Sequence, residues 1–119
     1  MTAKYYFTVP GKPIGKERPR RGKNGVWYTP TATKKYESRV AIYARLARVR
    51  PIAGSVWCIL DVYLPDRRRR DVDNICKSVL DALNGVAWQD DTQVARLTVT
   101  KKIDSVDPRV EVCIGEVPA

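Results

Sequence analysis

The chain contains no histidine. Without an imidazole, serine and cysteine triads of the usual kind lose their general base. Histidine-metal nuclease motifs and histidine-containing zinc sites are excluded as well. Cysteine is scarce. Cys58, Cys76 and Cys113 lie far apart, with no CxxC spacing. They form no zinc knuckle within one chain and read as small buried apolar residues of a reduced, cytoplasmic protein. No apolar run is long enough to span a bilayer, and Met1–Val9 has no apolar leader core, so neither membrane insertion nor secretion is expected. Acidic residues are also in short supply, with 13 Asp and Glu against 22 Lys and Arg, for a net charge of +9.

A chain of 119 residues suits one domain with one core. Such a core is only marginally stable, which makes a dimer unsurprising. The excess of basic residues points to a polyanionic partner. Nucleic acid is the commonest one, because phosphate contacts release condensed counterions. The competing explanation is a basic surface that merely aids solubility.

Lys4–Val9 has strand character and stops at Pro10. Residues 10–30 then carry Gly11, Pro13, Gly15, Pro19, Gly22, Gly25 and Pro30, which break regular structure. Lys12, Lys16, Arg18, Arg20, Arg21 and Lys23 share this stretch, with Glu17 alone opposing them. It reads as a basic arm, hairpin-like at Asn24-Gly25, with Trp27 and Tyr28 available to anchor it to the body. Lys16, Arg18, Arg20 and Arg21 are its candidate contacts to a nucleic-acid backbone, against the alternative of a solvated mobile loop.

Thr29-Pro30-Thr31 opens a helix expected over Ala32–Val49, with Tyr36, Val40, Tyr43, Ala44 and Ala47 on one face. Val56–Leu64 is apolar on both alternating faces and is expected to be a central strand. A second helix is expected over Val72–Asn84, with Gly85 at its C-terminal cap. Val94–Ile103 and Arg109–Ile114 read as strands joined through Asp107-Pro108 into an antiparallel hairpin. The order β-α-β-α-β-β gives an α+β fold of one domain, a mixed sheet with two helices packed on it.

The chemistry concentrates in Asp66-Arg67-Arg68-Arg69-Arg70-Asp71-Val72-Asp73-Asn74 and, farther on, Trp88-Gln89-Asp90-Asp91. Asp73, Lys77 and Asp81 share one helix face, opposite Ile75, Val79, Ala82, Leu83 and Val86. Asp73 alone is explained by the positive end of the helix dipole. A surface Asp73–Lys77 ion pair would add only about 0.3–0.5 kcal/mol. Neither account covers Asp71, Asp90 and Asp91. Clustered carboxylates repel unless a cation lies between them, and hard oxygen donors suit Mg²⁺ or Mn²⁺. Such a site serves phosphodiester cleavage, with Lys77 offering electrostatic help rather than a general base. Arg67, Arg68, Arg69 and Arg70 by themselves read as a solvated run. Beside the aspartates they become candidates for gripping phosphate.

At residues 64–94 the sequence resembles the RusA family of Holliday junction resolvases. The likeness rests on Leu64-Pro65-Asp66-Arg67-Arg68-Arg69-Arg70-Asp71-Val72-Asp73-Asn74, Lys77, Asp81-Ala82-Leu83 and Trp88-Gln89-Asp90-Asp91-Thr92-Gln93-Val94. The resemblance implies a Mg²⁺-dependent homodimer that makes paired symmetric nicks in four-way DNA junctions during recombination and repair. It implies Asp71, Asp73 and Asp91 as metal ligands and Lys77 as the catalytic lysine. Asp90 is a further candidate, although neighbours on an extended chain point opposite ways. Arg69 and Asn74 are implied to contact DNA or support the site. The 10–30 arm resembles phage-borne family members more than the bacterial prototype. Two incisions from one acidic cluster per chain also call for a two-fold dimer. No organic cofactor is expected. The rival reading is a non-catalytic DNA-binding protein, such as a phage regulator or a recombination accessory factor. It leaves unexplained the aspartates set inside the most basic segment, as does a third reading, a small RNA binder.

Overall fold

β4 (Val56–Leu64) lies at the middle of the fold, and its sequence explains why. Val56, Cys58, Leu60, Val62 and Leu64 alternate along it, and all five are buried. A strand with this much apolar surface is stable only with neighbours on both edges and a layer over its face. The computed structural model describes residues 4–28 and 30–118 and supplies both. β6 (Arg109–Glu116) runs antiparallel along one edge of β4, and β5 (Val94–Ile103) runs parallel along the other. β1 (Lys4–Pro10) pairs antiparallel with β6, giving the mixed sheet order β1-β6-β4-β5.

The expected β5–β6 hairpin does not form, because β4 lies between the two strands. Composition explains the placement. β6 presents Val110, Val112 and Ile114, all buried, and takes an interior position. β5 carries Arg96, Lys101 and Lys102 and is exposed along most of its length, which suits an edge. The connection must therefore cross two strand spacings, roughly 9.5 Å. Asp104 fixes that crossing over the end of β4. Its amide donates to Leu64 O at 2.8 Å, and its carboxylate accepts from the amides of Val106 and Asp107, each at 3.1 Å. Arg109 closes the loop with a 3.0 Å ion pair to Asp104.

Both helices are shorter than their patterns. α1 is Thr31–Leu46 and α2 is Val72–Ala82. Arg48, at φ 62, turns the chain out of α1 well before Pro51. Tyr36, Val40 and Ala44 bury the inner face of α1, whereas Ala47 is exposed. Pro30 precedes its first turn, and Thr29, expected as a capping hydroxyl, lies outside the described residues. On α2 the buried residues are Ile75, Cys76, Ser78 and Val79, continued by Leu83 and Val86 beyond it. Cys58 and Cys76 are buried as expected, while Cys113 is only half-buried. Among the described residues no helix is long and apolar enough to cross a membrane.

The basic arm divides into two parts. Residues 11–17 are strapped to the body. Gly11 N–H donates to Pro108 O (3.1 Å), Ser78 Oγ to Ile14 O (2.7 Å), Lys16 N–H to Asn74 O (2.9 Å) and Glu17 N–H to Thr33 Oγ1 (3.3 Å). A Cβ on Gly15 would stand 3.3 Å from Asn74 Cβ, so glycine lets the strap lie close on α2. Farther on, β2 (Arg20–Arg21) and β3 (Trp27–Tyr28) form the expected hairpin. Trp27 and Tyr28 do not anchor it to the body. They are 66% and 47% exposed.

Candidate active site

Asp91 reaches its position through a short anchored turn. Trp88 is fully buried, and its indole N–H donates to Asn84 Oδ1 at 2.9 Å. Gly85, at φ 80, brings its amide within 2.6 Å of Trp88 O. The chain thereby folds back against the end of α2. Gln93 then ties the turn to the loop before β4, its Nε2 donating to Ile52 O and Gly54 O, both at 2.8 Å. Gln93 Oε1 accepts from the amides of Gln89 (2.8 Å) and Asp90 (3.2 Å). The short 3-10 turn Asp91–Gln93 is capped by Asp90, whose Oδ2 accepts from Thr92 Oγ1 at 2.7 Å. That hydroxyl, with the Thr92 amide, holds the Asp90 carboxyl below its usual range.

Asp90 and Asp91 therefore face different surroundings. Asp90 caps the turn. Asp91 lines a pocket with Asp73 and Lys77, floored by Val72, Cys76, Leu80, Leu97 and Val99. Helical spacing puts Asp73 and Lys77 on one side of α2, and the turn after Trp88 carries Asp91 to meet them. Burial pushes the Asp91 carboxyl up, and Asp90 and Asp81 add to the shift, while Lys77 opposes it. Negative charge is thus crowded in a partly desolvated corner.

Asp71 stands elsewhere. It is the N-cap of α2, with an exposed side chain, and lines the neighbouring cleft beside Lys12, Lys16, Arg70 and Asn74. Among the described residues, no three acidic or cysteine side chains stand close enough together to hold one metal ion. What converges is the pair Asp73–Asp91 with Lys77. Two carboxylates beside a lysine fit a hard divalent cation whose remaining positions are filled by water or phosphate oxygens.

The basic residues separate by whether they have partners within the chain. Arg70 forks onto Asp66, at 2.6 Å to Oδ1 and 3.3 Å to Oδ2. The guanidinium, helped by the Arg68 amide, holds the Asp66 carboxyl down to about 2. This pair pins the loop and leaves Arg67, Arg68 and Arg69 exposed. Lys16 is bound to Glu37 at 2.9 Å and to Asp81 at 3.3 Å. Burial disfavours its charge, but the two carboxylates outweigh that and raise its pKa. Arg20 meets Glu17 at 3.2 Å on the surface, and Arg18 and Arg21 are exposed. Asn74 is exposed at the cleft, its carbonyl taken by the Lys16 amide.

Sequence reasoning passed over two positions. Asp81 lies near enough to Asp91 to help push its carboxyl up, and stands within ion-pair distance of both Lys16 and Lys77. Its place on the Asp73–Lys77 helix face was the available signal. Gln93 builds the turn that presents Asp91, and the Asp90-x-x-Gln93 spacing of a capping box was the available signal.

Paired carboxylates and a lysine in one pocket, with exposed arginines just before the same helix, are the arrangement expected of a phosphodiester-cutting class of protein. Similarity to known proteins gives the particular family. Residues 10–115 match the family described as endodeoxyribonuclease RusA, and the chain belongs to that family. It is 32% identical to the crossover junction endodeoxyribonuclease RusA of Escherichia coli strain K12 over 114 residues, covering 94% of each chain. The same identity and coverage hold for the crossover junction endodeoxyribonuclease of Enterobacteria phage 82. It is also 36% identical to the uncharacterized protein YqaN of Bacillus subtilis, across 95% of this chain and 96% of that one.

Proposed function

We propose that this protein is a cytoplasmic, Mg²⁺-dependent endonuclease that resolves four-way DNA junctions as a homodimer, by paired symmetric nicks. One observation carries the reading: Asp73 and Lys77 from α2, and Asp91 from a segment far along the chain, line one pocket. Residues 64–94 supply the charged groups of this site within a single domain, and residues 12–17 of the 10–30 arm line the cleft beside it. Asp73 and Asp91 would hold the metal. Asp71, two residues before Asp73 and exposed, is the proposed third ligand and would have to turn toward the pocket. Asp90 is a weaker ligand because its Oδ2 caps a turn.

A bound divalent ion would lower the pKa of water and offset charge on the phosphate. Lys77 places a positive charge where negative charge develops on the cleaved phosphate. Mn²⁺ has the same preference for oxygen donors and should substitute. Arg67, Arg68 and Arg69 offer guanidinium groups to backbone phosphates, with Arg18, Arg21 and the half-engaged Arg20 beyond the strap. Asn74 borders the same cleft.

The dimer is supported by β5. Ile103 is 46% exposed there, and β5 pairs only with β4 among the described residues. A second copy over this edge would cover apolar surface and supply the second nick.

The deciding experiment incubates the protein with a synthetic four-way junction, with and without Mg²⁺, beside the Asp73→Asn variant. Paired nicks that need the metal and vanish in the variant are expected. Binding without cutting, across several junction sequences, would favour a non-catalytic DNA-binding protein instead.

A further inference from the structure

Two lysines converge on a single oxygen. Lys16 Nζ lies 3.3 Å from Asp81 Oδ2, and Lys77 Nζ lies 4.0 Å from the same atom. Their claims on it are unequal. Lys16 is gripped on its other side by Glu37 Oε1 at 2.9 Å, and its side chain is 21% exposed. Lys77 is 62% exposed. Coulombic attraction strengthens where water is thin, so Lys16 holds Asp81 more strongly than Lys77 does. Within α2, moreover, Lys77 precedes Asp81 by four residues, the weaker order for a helical ion pair.

Resting on the catalytic reading of Lys77, we propose that Lys16 is a positioning residue: by sharing Asp81 it weakens that carboxylate's hold on Lys77, which lines the pocket with Asp73 and Asp91. Lys16 itself lines the adjoining cleft, not that pocket. Its backbone is held there by the bond from its amide to Asn74 O, on the first turn of α2. Take away its charge and Asp81 retains one cation within reach, the Lys77 ammonium on the same helix face. Glu37 then stands nearby without its partner and adds to the pull. Lys77 would be held more tightly by Asp81 and would be less free to meet the scissile phosphate. The basic strap over α2 thus acts through an internal charge relay rather than as a DNA contact at Lys16.

The test compares Lys16→Gln, Lys16→Arg and the double variant Lys16→Gln/Asp81→Asn. The single-turnover rate of junction cleavage and the junction Kd are measured for each. The metal-free, DNA-free protein is examined by NMR of the lysine ammonium groups, which reports how rigidly Lys77 Nζ is held. Lys16→Gln should slow cleavage by about tenfold or more, as loss of a supporting partner commonly does. Its Kd should be unchanged, and its Lys77 ammonium should become more ordered. Lys16→Arg should restore both properties. The double variant should recover a mobile Lys77 and most of the rate, because the competing carboxylate is gone.

The proposal is overturned if Lys16→Gln keeps both the rate and the Lys77 mobility, or if it weakens Kd at unchanged rate, as a DNA contact would. It is also overturned if the double variant folds yet behaves like the single one. The catalytic reading is judged separately by Lys77→Met. Full cleavage in that variant would remove the role of Lys77, while the ammonium spectra would still decide whether Lys16 and Lys77 compete for Asp81.

Discussion

Neighbouring aspartates of one motif have separate duties, and substitution should separate them. Asp90 Oδ2 accepts from the Thr92 amide and hydroxyl, whereas Asp91 lines the pocket. Asp91→Asn should lower cleavage by more than the roughly 10–100-fold typical of losing an outer-shell partner. Asp90→Asn should cost less, through a looser turn, and a parallel rate comparison at fixed Mg²⁺ would show the difference. Asp66 allows a second test at this scale. The Arg70 guanidinium, with the Arg68 amide, depresses its carboxyl from 3.8 to about 2. A depressed acid stabilises the fold fully above its unfolded value and loses that contribution as pH falls. The Asp66 contribution should therefore be whole above about 3.8 and gone below about 2. A carboxyl-carbon NMR titration reads this directly, and Arg70→Gln should return Asp66 toward 3.8.

Among elements, the turn between α2 and β5 controls the site more than either flanking element does. Gln93 alone makes four hydrogen bonds across it, two to the loop before β4 and two within the turn. Gln93→Ala leaves Ile52 O and Gly54 O without that donor, and the Asp91 turn without its tie. The expected loss is about 1–3 kcal/mol in urea unfolding, with slower cleavage at unchanged junction affinity. Intact cleavage in that variant would show that Asp91 does not depend on the tie. The strap of residues 11–17 is the other element of consequence, since it brings a charged lysine against both helices.

For the molecule as a whole, the net charge of +9 is distributed between internal pairing and exposed surface. Lys16, Arg70 and Arg109 are engaged by carboxylates, while Arg67, Arg68 and Arg69 are exposed. Arg68→Ala/Arg69→Ala should therefore weaken junction binding and flatten its salt dependence. The slope of log K against log salt falls by about 0.9 for each phosphate that is no longer neutralised. Arg70→Ala should instead disturb the loop through Asp66. Titrations at several salt concentrations distinguish the two outcomes. Sedimentation should find a dimer, and a charged substitution at Ile103 should shift it toward monomer if β5 forms the interface.

Much of this protein is readable in one dimension, because periodicity and motif spacing are local properties. The alternation in β4 announced a strand buried among neighbours, and four-residue spacing put Asp73 and Lys77 on one face of α2. Family membership was legible for the same reason, in the ordered charges of residues 64–94. Tertiary structure decided what depends on distant partners. It placed β4 between β5 and β6, because an apolar strand gains more from the centre of a sheet than a lysine- and threonine-rich one does. It assigned Asp91 to the pocket and Asp90 to a cap, the Asp90 amide donating to Gln93 and its carboxylate accepting from Thr92. It also set Lys16 against Glu37 and Asp81, residues 21 and 65 positions away along the chain. Such a pairing leaves no local trace, since Coulombic and hydrogen-bond energies depend on distance in space rather than on separation along the chain.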